Sequence, residues 1–223
     1  DLAARENAAA SLDRRIAVLN AVLVERYGYS GDVESYDALQ NANLMRVIDR
    51  RRGLPVALGI LYMHAARAQG WTIAGLNFPG HFLLRLDLDG GRRIIDPFNG
   101  GIERNAAELR NMLKAMSGSA AELKPEHTAP ASSRDILLRL QNNIKLRLIQ
   151  EERSADALEV LETMLMIAPD RAPLWREAGI LHSHLDNMRA AIMAVEHYLE
   201  LAGHEPGRKE IAELRAQLRI QLN

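Results

Sequence analysis

The sequence predicts an α+β domain followed by an all-α domain. Residues 71–96 form short apolar runs separated by Gly, Pro and Asp, which is typical of a small antiparallel sheet. Apolar residues recur at helical spacing before this region and again beyond Ser133, where the pattern also repeats itself. Aromatic residues make up only 4% of the chain, which favours packed helices over a β-sandwich.

The composition excludes several classes of protein. The 223 residues contain 28 basic and 29 acidic side chains, so a net charge of -1 gives no reason to expect nucleic acid or an anionic membrane as partner. The absence of cysteine excludes disulfides, thiolate metal sites and thiol nucleophiles. Residues 1–5 lack the apolar core of a signal peptide and an initiator Met, so we expect a trimmed or processed start. We expect a cytoplasmic protein without a cofactor, a metal or a membrane span.

Three helices are predicted before the sheet. The first runs from Ser11 to Tyr27 and ends at Gly28, and a polar loop follows over residues 29–42. A short helix is predicted over Asn43–Arg51, with Leu44, Val47 and Ile48 facing inward. Pro55 suits the first turn of a third helix, which is mostly apolar and ends at Gly70.

Three strands and one helix complete the first domain. The predicted strands cover residues 71–76, 81–86 and 92–96, with Asp89 and Gly90 in the hairpin turn between the last two. Asn105 and Glu108 form the capping box of the next helix. Residues 117–133 contain four Ser, two Pro and one Gly and are predicted to be a linker. The predicted domains are therefore residues 1–116 and 134–223.

The second domain repeats with a period of 34 residues. At this offset Ala157 aligns with Ala191, and Leu161 aligns with Val195. This is the tetratricopeptide period, in which small residues let paired helices approach closely. A last helix over residues 208–221 is predicted to cap the stack. Such repeats form a concave groove that receives a peptide or helix, and we expect Asn142, Trp175 and His182 to line it.

His81 and Asp96 are the candidate catalytic residues. A two-residue turn at Asp89 and Gly90 pairs residues whose numbers sum to 179, so Leu83 faces Asp96. His81 then lies on the same face as Asp96, roughly 7–8 Å away between backbones. A carboxylate beside a histidine fixes the ring tautomer and stabilises the imidazolium.

Three motifs resemble the bacterial SirB-type family, which joins a transglutaminase-like, papain-type domain to tetratricopeptide repeats. They are Arg-Arg-Gly-Leu-Pro from Arg51, Pro-Gly-His-Phe-Leu from Pro79 and Asp-Pro-Phe-Asn-Gly-Gly from Asp96. The resemblance covers nearly the whole chain and implies that His81 and Asp96 match the catalytic His and Asp of the superfamily. The superfamily's nucleophile lies in a Gly-x-Cys pattern, and here Pro55 occupies the cysteine position.

Three interpretations of the pair are open: a structural hydrogen bond, a retained ligand pocket and active chemistry. A retained pocket would include residues from the three motifs and from the helix that precedes them. They are Asn43, Arg52, Gly53, Pro55, Gly80 and Asn99. The Arg50–Arg52 run is interpreted as a helix C-terminus, with binding of an anion or a partner as the alternative.

The sequence favours a non-catalytic protein that binds a protein or peptide through its repeat domain. The alternative is a hydrolase in which His81, oriented by Asp96, activates water, with Asn43 or Asn99 as oxyanion donor. A purely structural scaffold is a third possibility, and it requires a fully buried His81.

Overall fold

The structure is a computed structural model that describes residues 11–203 and 207–222. Contacts between Cα atoms divide the chain into two compact units, Asp1–Ile136 and Leu137–Asn223. Residues 1–5, for which no signal peptide is expected, lie outside the described residues. Among the residues that are described, no helix is long and apolar enough to cross a membrane.

The helices and strands follow the order expected of an α+β chain. The helices are α1 (Leu12–Asn20), α2 (Leu44–Arg50), α3 (Pro55–Arg67), α4 (Ala106–Ser117), α5 (Ser133–Gln150), α6 (Ser154–Ile167), α7 (Ala172–His184), α8 (Met188–Leu201) and α9 (Arg208–Leu222). The strands are β1 (Ser30–Gly31), β2 (Arg52–Gly53), β3 (Thr72–Gly75), β4 (Leu84–Leu88), β5 (Gly91–Asp96) and β6 (Ile102–Glu103).

Local sequence signals set the helix ends of the first unit. The Ser11 side chain accepts a hydrogen bond from the Arg14 amide and begins α1, which continues into a π-helical turn over Ala21–Arg26. Pro55 is the first residue of α3, where a missing N–H has no cost. The predicted capping box of α4 is confirmed, because Asn105 and Glu108 each bond the other's backbone amide.

The sheet of the first unit has the strand order β3-β4-β5-β6 and is antiparallel throughout. The predicted register of the hairpin is confirmed, because Leu84 pairs with Ile95 and their numbers sum to 179. The second predicted strand begins three residues late, at Leu84, so His81 lies in a bend before β4. Strand β6 was not predicted; it adds only two residues beside the end of β5.

Two further differences concern α2 and the 117–133 segment. Within α2 only Val47 is fully buried, and the prediction that Ile48 faces inward is wrong because it is 49% exposed. The 117–133 segment bonds to the end of β3: the Asn77 amide donates to the Ala129 carbonyl, and the Ala131 amide donates to the Gly75 carbonyl. Backbone pairing therefore ties this segment to the sheet.

The second unit consists of consecutive helical hairpins, with α6 packed on α7, α7 on α8 and α8 on α9. Gly179 of α7 gives Val195 of α8 room, as expected for a small residue between paired helices. In the first repeat the aligned position is Lys145, which is only 2% exposed and forms an ion pair with Glu177. The two repeats therefore differ at a position that normally needs a small side chain.

The turns within the two repeats have the same backbone conformation. Glu152 and Asp186, which are 34 residues apart, both adopt the left-handed conformation, with φ angles of 59° and 57°. Arg153 and Asn187 follow them with nearly equal ψ angles of 59° and 60°. The period seen in the side chains is thus also present in the backbone.

Candidate functional site

The first unit brings His81 and Asp96 together at the end of the sheet. The Nε2 atom of His81 lies 2.9 Å from Oδ1 of Asp96. Asp96 is the last residue of β5, and its side chain is fully buried, whereas the His81 side chain is 11% exposed. The pair therefore connects the interior of the unit to its surface.

Five hydrogen bonds hold the Asp96 carboxylate. Oδ1 accepts from His81 Nε2 and from the amides of Phe98 and Asn99, and Oδ2 accepts from Asn99 Nδ2 and Arg104 Nη2. Burial raises the pKa of Asp96, but the hydrogen bonds and the charge of His81 outweigh this effect and lower the pKa from 3.8 to about 2.

An ionised Asp96 determines the tautomer of its partner. A carboxylate without a proton can only accept, so His81 Nε2 must carry the hydrogen of the shared bond. In the neutral imidazole, Nδ1 is then the nitrogen with the lone pair. This is the arrangement that a histidine needs to accept a proton from a neighbouring hydroxyl, thiol or water.

A second group of residues supports Asp96 from the interior. The Gly101 amide donates to the Asp96 carbonyl at 2.8 Å, Asn20 Nδ2 donates to the Gly101 carbonyl, and the Tyr62 hydroxyl donates to Asn20 Oδ1. Gly101 has a φ of +72°, and a Cβ atom there would overlap Asn20 and lie 2.7 Å from the Tyr62 oxygen. Burial, followed by the charge of Asp96, raises the pKa of Tyr62, so its hydroxyl stays protonated.

Aromatic rings border the pair on its outer side. The Phe98 ring meets the His81 ring edge-on, with 6.2 Å between centroids, and meets Tyr36 at 5.7 Å. Phe98 also covers Gly31 of β1, where no Cβ would fit. Because Gly31 pairs with Gly53, the Arg52–Gly53 strand lies beside the turn that contains Phe98.

The helix that carries Pro55 runs beside the pair. Pro55, Gly59 and Tyr62 follow one another at helical spacing on one side of α3. Gly59 contacts the Phe82 ring, and Tyr62 lies close to Asp96. Pro55 is buried, as are Val56 and Ala57 after it.

The other predicted pocket residues have local structural roles. The side chain of Asn43 accepts from the amides of Met45 and Arg46 and begins α2. Gly53 is buried against Val47, whereas Arg52 is exposed. Gly80 has a φ of +70° and lies against Met116, which fixes the bend before His81. Asn99 uses its side-chain amide on Asp96, so that amide does not act as a separate oxyanion donor here.

Sequence reasoning missed Arg104, Asn20 and Tyr62. Arg104 follows β6, a strand without a visible signal in the sequence, and it donates to Asp96 at 3.0 Å. Asn20 and Tyr62 lie on separate helices, and only the folded chain shows that they meet at Gly101. A polar residue inside an apolar helix, such as Tyr62 in α3, was the one available signal.

Of the predicted groove residues, Asn142 lies on α5, and Trp175 and His182 lie on α7. Trp175 donates to the Pro169 carbonyl at 2.8 Å and packs on His197 of α8, with 4.3 Å between ring centroids. Nδ1 of His182 is buried and has no hydrogen-bond partner among the residues that the structure describes, and Asn142 lies half-buried on α5. The exposed apolar residues near Asn142 are Leu146 and Ile149, at 47% and 40% exposure. They follow Asn142 at helical spacing and form with it one stripe along α5.

Among the described residues, no three His, Cys, Asp or Glu side chains lie close enough together to hold a metal ion. The cation that faces Asp96 is the guanidinium of Arg104.

Comparisons with known proteins match both units of the chain. Residues 1–142 match the transglutaminase-like superfamily, and residues 144–219 match the tetratricopeptide repeat. A UPF0162 protein of Vibrio cholerae is 33% identical over 200 residues, which cover 89% of this chain and 71% of the relative. A UPF0162 protein of Xylella fastidiosa strain Temecula1 is 32% identical over 193 residues, or 84% of this chain and 68% of the relative.

A third relative carries the name that the motifs suggested. Protein SirB1 of Salmonella typhimurium is 25% identical over 215 residues, which cover 96% of this chain and 77% of the relative. No solved structure matches the chain.

Proposed function

The chain belongs to the SirB-type family of transglutaminase-like proteins with tetratricopeptide repeats, and from this premise we propose that it is a non-catalytic binding or regulatory protein of the cytoplasm. The observation that carries the proposal is the contrast between an ordered His81–Asp96 pair and Pro55. The nitrogen of Pro55 is part of a tertiary amide and has no proton to give. The whole sequence contains no cysteine.

The contacts of Asp96 support the same conclusion. Its five hydrogen bonds join the bend at His81, the turn at Phe98 and Asn99, and the residue after β6. Removing a buried carboxylate with so many donors would leave those donors unsatisfied. The pair thus has a structural use that does not depend on catalysis.

The repeat unit supplies the surface for a partner. Tetratricopeptide repeats in general bind proteins or peptides. On α5, the exposed apolar side chains of Leu146 and Ile149 follow the predicted groove residue Asn142 at helical spacing. We assign the partner contact to this stripe.

The catalytic half of the proposal is tested by an activity assay. Ammonia release from glutamine-containing peptides and incorporation of a fluorescent amine are measured for the wild type and for His81→Ala. We expect no turnover in the wild type above that of the variant. Turnover that His81→Ala abolishes would contradict the proposal.

The partner half is tested by photo-crosslinking in cells. A photoreactive amino acid is placed at Leu146 and, as a matched control, at Met193 of α8, which is 71% exposed. We expect a discrete protein adduct at position 146 that is absent at 193. Equal adducts at both positions, or none at 146, would contradict the assignment of the stripe.

A second candidate function is a hydrolase that activates water. The observation that favours it is the 2.9 Å contact between His81 and an ionised Asp96, which leaves Nδ1 as the basic nitrogen. Nδ1 would take a proton from water as its oxygen attacks the substrate carbonyl, and would then return that proton to the leaving group. The same assay tests this candidate, which requires turnover in the wild type that His81→Ala abolishes.

A further inference from the structure

The outer side of α2 exposes apolar side chains that the fold does not use. The helix buries Val47 alone, and Met45 and Ile48 are 72% and 49% exposed. These two residues are three positions apart and therefore share one side of the helix. The helix therefore presents two large apolar side chains to solvent on the same side.

Three arginines of the same segment are exposed. Arg50 is used internally, because its guanidinium donates to Asp32 and Asn41. The exposed side chains of Arg46, Arg51 and Arg52 make no hydrogen bond or ion pair within the described part of the chain. Asp49 is the one carboxylate on α2, and it forms no ion pair among the described residues either. The segment thus has a surplus of unpaired positive charge in a chain whose net charge is -1.

Arg51 occupies a backbone position that suits glycine. It ends α2 in the left-handed conformation, with a φ of 59°. Helices commonly end this way with Gly, because a Cβ atom is disfavoured there. The helix end thus accounts for the backbone of Arg51, while its side chain makes no hydrogen bond or ion pair with the described residues.

We infer that this α2 surface, made of Met45, Ile48, Arg51 and Arg52, binds an acidic amphipathic segment of a partner protein. Carboxylates of the segment would pair with the arginines, and its apolar side would cover Met45 and Ile48. A nucleic acid fits less well, because exposed Met and Ile offer nothing to phosphates. The inference rests on the proposed function, since it describes binding by the first unit rather than turnover.

The test is fluorescence anisotropy with the full chain and synthetic labelled peptides. The probe is a helix-forming peptide in which Leu recurs at helical spacing among Glu residues. Two control peptides replace every Glu with Lys or every Leu with Ala, and an oligothymidylate of similar length represents nucleic acid. We expect the Glu–Leu peptide to bind at least roughly tenfold more tightly than either control.

The variant Arg51→Gly distinguishes a loss of peptide binding from a loss of stability, because the two are expected to change in opposite directions. Glycine relieves the left-handed backbone, so we expect Tm to rise by about 1–3 °C while the affinity for the Glu–Leu peptide falls roughly fivefold. Met45→Ser with Ile48→Ser should weaken binding by a similar factor. Arg110→Ala, which removes an exposed arginine from α4, should leave the affinity unchanged.

Three results would overturn the inference. They are equal binding of the Glu and Lys peptides, unchanged affinity in Arg51→Gly, and preference for the oligothymidylate. None of them bears on the activity assay with His81→Ala, so failure of this inference is distinguishable from failure of the proposed function.

Discussion

His81 contacts Asp96 through a 2.9 Å hydrogen bond that starts from a bend, not from a strand. The hairpin register fixes Asp96 at the end of β5, and the left-handed Gly80 turns the chain so that the next residue reaches it. Asp96 is fully buried, whereas His81 lies partly at the surface. The contribution of this contact to the free energy of unfolding therefore depends mainly on the Asp96 carboxylate.

Asp96→Asn is expected to lower the free energy of unfolding at neutral pH by at least about 2 kcal/mol. The lowering of the pKa from 3.8 to about 2 corresponds to stabilisation of about 2 kcal/mol. This stabilisation is complete above the unfolded-state pKa and is lost as the pH falls through about 2. Urea unfolding of both proteins between about pH 7 and pH 2 measures it.

The difference between wild type and Asp96→Asn should therefore shrink below about pH 4. Asp32, whose pKa is also lowered, contributes to the acid sensitivity of both proteins and cancels in the comparison. A difference that stays constant down to about pH 2 would contradict the ionised state of Asp96.

Gly101→Ala is expected to destabilise the first unit far more than Gly100→Ala. Both glycines have positive φ angles, of +72° and +71°, so both variants carry the same backbone cost of about 1–2 kcal/mol. Only at Gly101 would the new Cβ overlap Asn20 and Tyr62, and we expect a further cost of about 2 kcal/mol or more. Urea unfolding at about pH 7 measures the free energy of unfolding of both variants. Equal losses would show that Asn20 and Tyr62 move aside for the new Cβ at little cost.

The sequence predicted the parts of the site that depend on local signals. The Asp89–Gly90 turn fixed the register, Pro55 fixed the start of α3, and the position of Asp96 opposite the bend followed from them. Arg104 was missed because β6 is two residues long and pairs only at the end of β5. Its position depends on tertiary packing that has no period in the sequence.

The inward direction of Ile48 was predicted wrongly for a similar reason. Periodicity shows which residues share a side of a helix, but a helix as short as α2 has too few turns to show which side is covered. The extended α5 stripe, in contrast, keeps its helical spacing over Asn142, Leu146 and Ile149. Repeat alignment does not distinguish a side chain packed on α8, such as Trp175, from one on an open face.

Glu177→Gln is expected to cost about 1–3 kcal/mol, because it leaves the buried Lys145 ammonium without its carboxylate. The cost is below that of a fully buried pair, since Glu177 is 43% exposed. Lys145→Met should change the free energy of unfolding by less than about 1 kcal/mol, because an apolar side chain of similar length fills the same space. Thermal and urea unfolding of both variants measure this, and a larger loss in Lys145→Met than in Glu177→Gln would contradict the argument.

Gly59→Ala is expected to destabilise the first unit by about 2–3 kcal/mol, because the new Cβ would lie 2.6 Å from Cδ1 of Phe82. Phe82→Leu in the same chain removes the edge of the ring, including Cε1, which the new Cβ would also overlap, so the double variant should lose less than the sum of the two single losses. A double-mutant cycle by urea unfolding gives the coupling energy, and strict additivity would show that the two side chains do not meet.

The matching turns at Glu152 and Asp186 make the repeat unit modular. Because the backbone has the same conformation on both sides of residues 153–186, a second copy of this segment could be inserted after Asp186 without creating a new kind of junction. Each inserted copy would add one helical pair and lengthen the stack by one step. The two left-handed turns, at Glu152 and Asp186, are thus the positions at which a longer repeat domain can be made from this chain.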